Sequence, residues 1–272
     1  MAQLTPSLFF LFSYTLFSMI KEEDIYIYGK HAVEEALRAK PKSVKKIFLS
    51  QELDDPKVAR LISENKIPVS FVTKDKMPSG TDTAVHQGVA AAISLNALVR
   101  PYDEFIKDLE VGPDTVIAVL GEIQDPQNVG AVIRSAAAFG ITAVLLPEHN
   151  QAPVTGTVVK VSAGMVFRMP IVSIGNVNLT LRDLKDRGFW VYGLAAEGEQ
   201  SLSEEKFDAP TVFVLGNEMK GIREKTRDVC DVLLSIPIAP RCESLNAATA
   251  ASVSFYAWSV KHPNAVSSEG KK

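Results

Sequence analysis

Three short polar stretches of this 272-residue chain carry side chains suited to chemistry. GEIQDPQNVGAVIR holds Asn128, Gly130 and Arg134. NEMKG holds Asn217 and Glu218, and APRCESLN holds Ser244 and Asn246. Arg134 stands in an otherwise apolar helical run, AVIRSAAAFG, so its guanidinium must leave the hydrophobic face or meet a partner. Each of the other residues also has a purely local explanation. Asn128 suits a helix N-cap, and Gly130 suits a close helix–sheet approach. Asn217 and Glu218 suit a turn, with Glu218 favouring a helix N-terminus. Ser244 and Asn246 suit caps of the last helix. Metal chemistry has no footing: Cys230 and Cys242 are isolated, and His31, His86, His149 and His262 are scattered without ligand spacing.

The elements that must position these loops are legible as apolar strands. TVIAVL, TVFVLG and VLLSIPI each run directly into one of the three stretches. Parallel α/β sheets bind ligands at the carboxyl ends of their strands, so the three loops are expected along one edge. Residues 113–262 alternate such strands (also ITAVLL, MPIVSI and FWVYGLA) with helices. The helices are read at NVGAVIRSAAAFG, TGTVVKVSAGMVF, LTLRDLKDRG, IREKTRDVC and SLNAATAASVSFYAWSV. Short continuous apolar strands imply a parallel sheet covered on both faces. A nucleotide enzyme of the usual kind is disfavoured. No GxGxxG follows a strand, GLAAEG being the nearest string, and no GxxxxGKS occurs. A nucleotide-like cofactor would need another loop design.

Residues 25–95 read as a separate small α/β unit. YGKHAVEEALRAK places Val33, Ala36 and Leu37 on one helical face and ends at Pro41; PKVARLISENK turns Leu61 and Ile62 inward. KKIFLS, IPVSFVT and HQGVAAAIS read as strands, the last starting at Gly88. The order βαβαβ predicts a compact, mostly parallel sheet. Residues 96–112, with Pro101, read as a connector, and 263–272 as a disordered tail. Residues 1–24 read as an extension. Met1 to Ile20 carries no charge, and no basic leader or small-residue cleavage site is present. Translation is expected to start at Met19, with a weak membrane anchor as the alternative. With 46% hydrophobic and 22% charged residues the chain is a soluble, globular type, expected in a reducing cytoplasm. A net charge of −3 argues against a generic polyanion binder, yet Arg38, Lys40, Lys42, Lys45 and Lys46 form a local run without an acid.

Together, QNVGAVIRSAAAFG, VLGNEMKGI and IPIAPRCESLN resemble the three motifs, in order, of the SpoU (TrmH-like) branch of the SPOUT RNA 2′-O-methyltransferases, over residues 115–260. YGKHAVEEAL and HQGVAA resemble the RNA-binding domain of the guanosine-2′-O-methyltransferases of 23S ribosomal RNA, a small fold also found in ribosomal proteins. The resemblance implies a C-terminal parallel-sheet domain tied in a deep trefoil knot, an exception to the usual absence of knots. It implies S-adenosyl-L-methionine (SAM) held in a bent form at Gly216, Ile236 and Leu245, and a homodimer with the site near its interface. The implied substrate is RNA, most simply 23S rRNA, with no membrane partner. The implied catalytic set is Arg134, Asn128, Glu218, Ser244 and Asn246. A transfer-RNA 2′-O-methyltransferase and a non-catalytic RNA-binding or ribosome-assembly protein are the alternatives.

In such a reaction a ribose 2′-hydroxyl is a poor nucleophile until its proton is drawn away, while the methyl donor is already activated. Arg134 then acts either as a base of lowered pKa or as a phosphate grip that stabilises the developing alkoxide. The second is favoured, because a guanidinium stays protonated. Glu218 would orient Arg134 or the loop, and Asn128, Ser244 and Asn246 would bond ribose and phosphate. Three departures stand out: Met219 where many members carry Gly, SLNAATA where Val-Ser-Val commonly follows the Asn, and Cys242 before Glu243–Ser244.

Overall fold

An alanine-rich strand lies at the centre of the smaller of two sheets. The computed structural model describes residues 24–50, 53, 55–73, 76–78 and 88–266. The expectations placed on residues 1–23, on His86 and Gln87, and on the end of the tail lie outside them. In the small unit, β1 (Asp24–Tyr28), β2 (Val44–Leu49), β3 (Val69–Phe71) and β4 (Val89–Ser94) are ordered β1-β4-β2-β3. β4 runs antiparallel to both neighbours, and only β2 and β3 are parallel. The expected mostly parallel sheet is therefore corrected to a mixed one. Apolar patterning reports which side chains avoid water, not the direction a strand runs. β1 itself went unread.

Helices α1 (Lys30–Ala39) and α2 (Pro56–Glu64) cover one face of this sheet. α1 buries Val33, Ala36 and Leu37. α2 starts where Asp55 Oδ1 accepts from the amides of Lys57 and Val58. It buries Val58 and Ile62, an i,i+4 pair, and leaves the expected Leu61 only half-buried.

The larger sheet contains β5 (Val99–Pro101), β6 (Val116–Leu120), β7 (Ala143–Pro147), β8 (Ile171–Ile174), β9 (Trp190–Leu194), β10 (Gln200–Ser201), β11 (Thr211–Leu215) and β12 (Val232–Ser235). Its order is β10-β12-β9-β11-β6-β7-β8-β5, and all seven pairings are parallel. β5 and the helix α3 (Tyr102–Asp108) lie within the stretch read as a connector. β5 closes one sheet edge and α3 buries Phe105 and Ile106. The remaining helices are α4 (Pro126–Ala138), α5 (Gly156–Val161), α6 (Val177–Asp186), α7 (Glu224–Arg227), α8 (Ala247–Lys261) and α9 (Pro263–Val266). The helix expected over TGTVVKVSAGMVF stops early, because Ala163 (φ 50°) and Gly164 (φ 78°) turn the chain left-handed. IREKTRDVC forms only the four-residue α7.

One apolar cluster runs from Ile27, Leu37 and Ile47 in the small unit to Phe213, Phe255 and Trp258 in the large one. Two glycines permit this contact. A Cβ on Gly156 would lie 2.4 Å from the Tyr26 carbonyl oxygen, and one on Gly164 would lie 2.8 Å from Glu35 Cβ. The Arg168–Glu35 ion pair (2.7 Å) crosses the same junction. The C-terminal helix is pinned at its far end: His262 stacks on Trp258, and its ring nitrogens meet Asp114 Oδ1 (2.7 Å) and the Phe207 carbonyl (3.1 Å).

Candidate active site

The carboxyl ends of β6, β11 and β12 converge, and so do the loops that follow them. β6 and β11 are direct neighbours, and the Gly121 amide donates to the Leu215 carbonyl where both strands end (2.6 Å). A chain of side-chain hydrogen bonds then joins the three loops. Asn246 Nδ2 donates to Asn128 Oδ1 (2.9 Å), and Asn128 Nδ2 donates to Glu218 Oε1 (2.9 Å). Glu218 also accepts long bonds (3.5 Å) from the Gln124 and Asp125 amides. Asn246 is at the same time the N-cap of α8, accepting from the amides of Ala248 and Thr249. The cap of α4 is Asp125, not Asn128, which frees the buried Asn128 amide to bridge the other two loops. Gly130 serves helix–helix contact rather than helix–sheet contact, since a Cβ there would lie 2.8 Å from Val161 Cβ.

This network sits beside a cavity of about 370 Å³. Gly216, Ile236 and Leu245 line it, as do Glu218 and Ser244. Asn246 lies between two lining residues, Leu245 and Ala247. Gly216 has no room for a side chain: a Cβ would stand 2.2 Å from the carbonyl carbon of Gly221. The loop between them is a tight turn. Asn217 and Gly221 exchange backbone bonds (3.0 and 2.9 Å), and Asn217 Oδ1 accepts from the amides of Met219 and Lys220. Met219 is 94% exposed, so the departure from glycine at that position costs no packing.

Glu218 is the titrating group of the network. Partial burial alone would raise its carboxyl, but the bonds from Asn128 and from backbone amides outweigh that and hold it below the usual carboxylate range. It is thus an anion that fixes Asn128 and the first loop. Arg134 stands apart from this cluster. It leaves the hydrophobic face of α4 and is exposed, and among the described residues it makes no ion pair or side-chain hydrogen bond. Its helix is tied to α8 by the Ser135–Ser252 hydroxyl pair (2.7 Å).

Two contributors were not singled out from sequence. Glu122 adopts φ 68°, a conformation that favours glycine. Its carbonyl accepts from Asn217 Nδ2 (2.9 Å), and its carboxylate pairs with Arg223 through both oxygens. It is the hinge between the first and second loops. Ala195, Ala196 and Glu197, at the end of β9, form another wall of the cavity, with Glu197 paired to Arg227. The string GLAAEG fails as a phosphate-binding turn, yet the strand-end rule alone marks it. Among the described residues no three His, Cys, Asp or Glu side chains could hold a metal.

Residues 115–256 match the SpoU rRNA Methylase family, and residues 26–97 match the RNA 2′-O ribose methyltransferase substrate binding family. Fold and site thus define an RNA methyltransferase built from a small mixed-sheet unit and a parallel-sheet unit with a loop-walled cavity. The chain belongs to the SpoU rRNA methylase family. It is 37% identical to the 23S rRNA (guanosine-2′-O-)-methyltransferase RlmB of Pseudomonas putida, over 85% of this chain and 94% of that one. It is 38% identical to the protein of the same name from Pseudomonas syringae pv. tomato, over 85% and 93%. It shares its fold with the SpoU methyltransferase AviRb from Streptomyces viridochromogenes, crystallised with AdoMet (TM-score 0.75, 22% identity, 89% and 91% covered). An rRNA methyltransferase from Sinorhizobium meliloti gives a TM-score of 0.74 at 22% identity, with 88% and 87% covered.

Proposed function

We propose that this protein methylates the ribose 2′-hydroxyl of a guanosine in 23S rRNA, using SAM. The observation that carries the reading is the hydrogen-bonded chain Asn246–Asn128–Glu218 beside the cavity at Gly216, Ile236 and Leu245. Identity of 37–38% to two RlmB enzymes over 85% of the chain supports the substrate.

The residues present fit the cofactor. The cavity falls within the usual range for small ligands, about 300–1,000 Å³. Its apolar walls, Leu215, Ile236 and Leu245, suit an adenosyl group, and the glycine-bearing turn at Gly216 exposes backbone rather than side chains. When bound, SAM supplies a methyl group activated by positively charged sulfur. The protein's part is then alignment and charge. Ser244 and Asn246 hold the ribose and its phosphate beside the cavity. Asn128, clamped by anionic Glu218, fixes Asn246 in turn. Arg134 grips the adjoining phosphate and stabilises the alkoxide as the hydroxyl proton passes to solvent water, a role a permanently charged guanidinium performs better than base catalysis.

The active unit is read as a homodimer. α8 carries apolar side chains on two faces: one face is buried, and Val253, Tyr256 and Val260 lie 37–59% exposed on the other. Phe139, near the end of α4, touches Tyr256 (ring centroids 5.8 Å), so a second copy docked on α8 lies next to the Arg134 helix. Residues 25–95 are read as the substrate-binding unit and 113–262 as the catalytic unit, its cofactor loops threaded as a deep trefoil knot. Among the described residues no helix is long and apolar enough to cross a membrane, and a cytoplasmic enzyme is the reading that suits a ribosomal substrate.

Transfer of labelled methyl groups from SAM to 23S rRNA and to transfer-RNA transcripts tests the substrate. Ribose label on 23S rRNA guanosine is expected. Label on transfer RNA alone moves the protein to the other branch, and no label on either favours a non-catalytic RNA-binding role.

A further inference from the structure

The small sheet has one face that neither helix covers. Side chains alternate along a strand, so Ile25, Ile27, Ile47 and Leu49 point toward α1 and α2, while Tyr26, Tyr28, Lys46 and Phe48 point the other way. The register sets these into two rows, Tyr26–Ala92–Lys46 and Tyr28–Ala90–Phe48. Under the rings the central strand contributes only Ala90 and Ala92, and beyond them a third row pairs its Ser94 with Asp24. The flanking rings therefore lean across the alanines: Tyr26 and Phe48 meet with centroids 6.2 Å apart although β4 lies between their strands. Ala90 and Ala92 beneath them are 0% and 5% exposed. Lys46 Nζ sits 5.4 Å from the Phe48 ring centroid and has no ion-pair partner among the described residues. Tyr26 itself is 36% exposed. Lys45, in the bulge of β2, is paired with Asp24 (2.8 Å), and Arg38 with Glu34 (2.7 Å), so Lys46 is the cation that this face presents.

We propose that this face is a stacking platform for unpaired bases of the RNA, with Tyr26 and Phe48 as the stacking surfaces and Lys46 as the phosphate contact. The proposal rests on the reading of RNA as substrate and adds where and how it is held. A flat, small-residue strip roofed by rings offers π-faces, and a cation beside a ring matches the alternation of base and phosphate along a single strand. An apolar protein partner would gain nothing from an ammonium at the centre of its contact. Stacking is tolerant of base identity, so the platform grips the strand while the catalytic loops select the ribose.

The test uses the full-length protein and fluorescence anisotropy with a labelled short single-stranded RNA and a duplex of the same length. Tyr26→Leu and Phe48→Leu keep the alanines covered but remove the rings. Each is expected to weaken single-strand binding roughly five- to a hundredfold and to leave duplex binding unchanged. Phe48→Trp is expected to retain binding. Lys46→Gln, at a half-exposed position, is expected to lower the salt slope of single-strand binding by about one. In methyl transfer the ring variants raise KM for RNA without lowering kcat. Equal losses on single strand and duplex overturn the platform, as does unchanged single-strand binding in variants that melt like wild type. So does a wild-type protein that prefers the duplex. If a leucine variant melts early, the Trp and Gln variants decide: loss of binding with Trp, or an unchanged salt slope with Gln, overturns it. Failure of wild type to methylate 23S rRNA sinks the substrate reading instead, and oligonucleotide binding still decides the platform.

Discussion

In the eight-stranded sheet β6, β7 and β11 are buried along their whole length, with helices on both faces. The four-stranded sheet buries one face and leaves Tyr26, Lys46 and Phe48 on the other. The two regions therefore present ligands with different surfaces. A sheet covered on both sides has only its strand ends free, and there the loops after β9, β11 and β12 wall a cavity. A sheet covered on one side offers a plane. The contrast teaches that chemistry is built where backbone turns converge, and grip where side chains align in rows.

The largest effect expected is chemical. Arg134→Ala should cut methyl transfer roughly a thousandfold, the scale of losing a charge-stabilising donor. Calorimetric titration with SAM should give wild-type affinity, and a parallel loss of cofactor binding would put Arg134 in the structural frame. Next comes the shared core. Ile47→Ala in the small unit should cost about 3 kcal/mol. Because the apolar cluster is continuous from Ile47 to Trp258, heat should unfold the chain in one transition, and two resolved transitions would separate the regions energetically.

Gly216→Ala targets the cavity alone. A Cβ placed 2.2 Å from the Gly221 carbonyl carbon forces the loop to shift, at about 2 kcal/mol. SAM affinity should fall more than tenfold while single-stranded RNA binding stays unchanged. A smaller effect attends Glu218→Gln. The wild-type carboxyl is held below its ordinary value, so its contribution is present at neutral pH and is lost as pH falls through the folded-state pKa. The gap in melting temperature between wild type and variant should close below about pH 4. The stability difference at pH 7 should stay under about 1 kcal/mol, because the group is largely solvated. The smallest is Arg168→Ala at the junction of the two units. This half-exposed pair should contribute about 0.5 kcal/mol, with the difference erased in about 1 M salt.

The strands that end at the site were legible because a doubly covered strand must be apolar at every position, as in VIAVL and TVFVL. Helix α8 was legible from its length, and its start from the polar SLN that precedes it. The small sheet was less so. β4 reads as a strand from composition, but its antiparallel run between β1 and β2 depends on a return of the chain that periodicity does not encode. β5 hid in a stretch marked by Pro101 and charges, because a three-residue edge strand has too few positions for a pattern. Asn128 read equally well as a helix cap and as a site residue until Asp125 was found to take the cap.

The alternation of strands and helices after residue 113, the polar character of the loops after β6, β11 and β12 and the membership in the SpoU rRNA methylase family were all written in the linear chain. Which loops touch was not. Asn246 meets Asn128 across 118 positions, and Glu122 meets Asn217 across 95. Hydrogen bonds at such separations exist only once strand order has brought two ends together. Local pattern measures exposure to water, and only the folded topology assigns each polar group its partner.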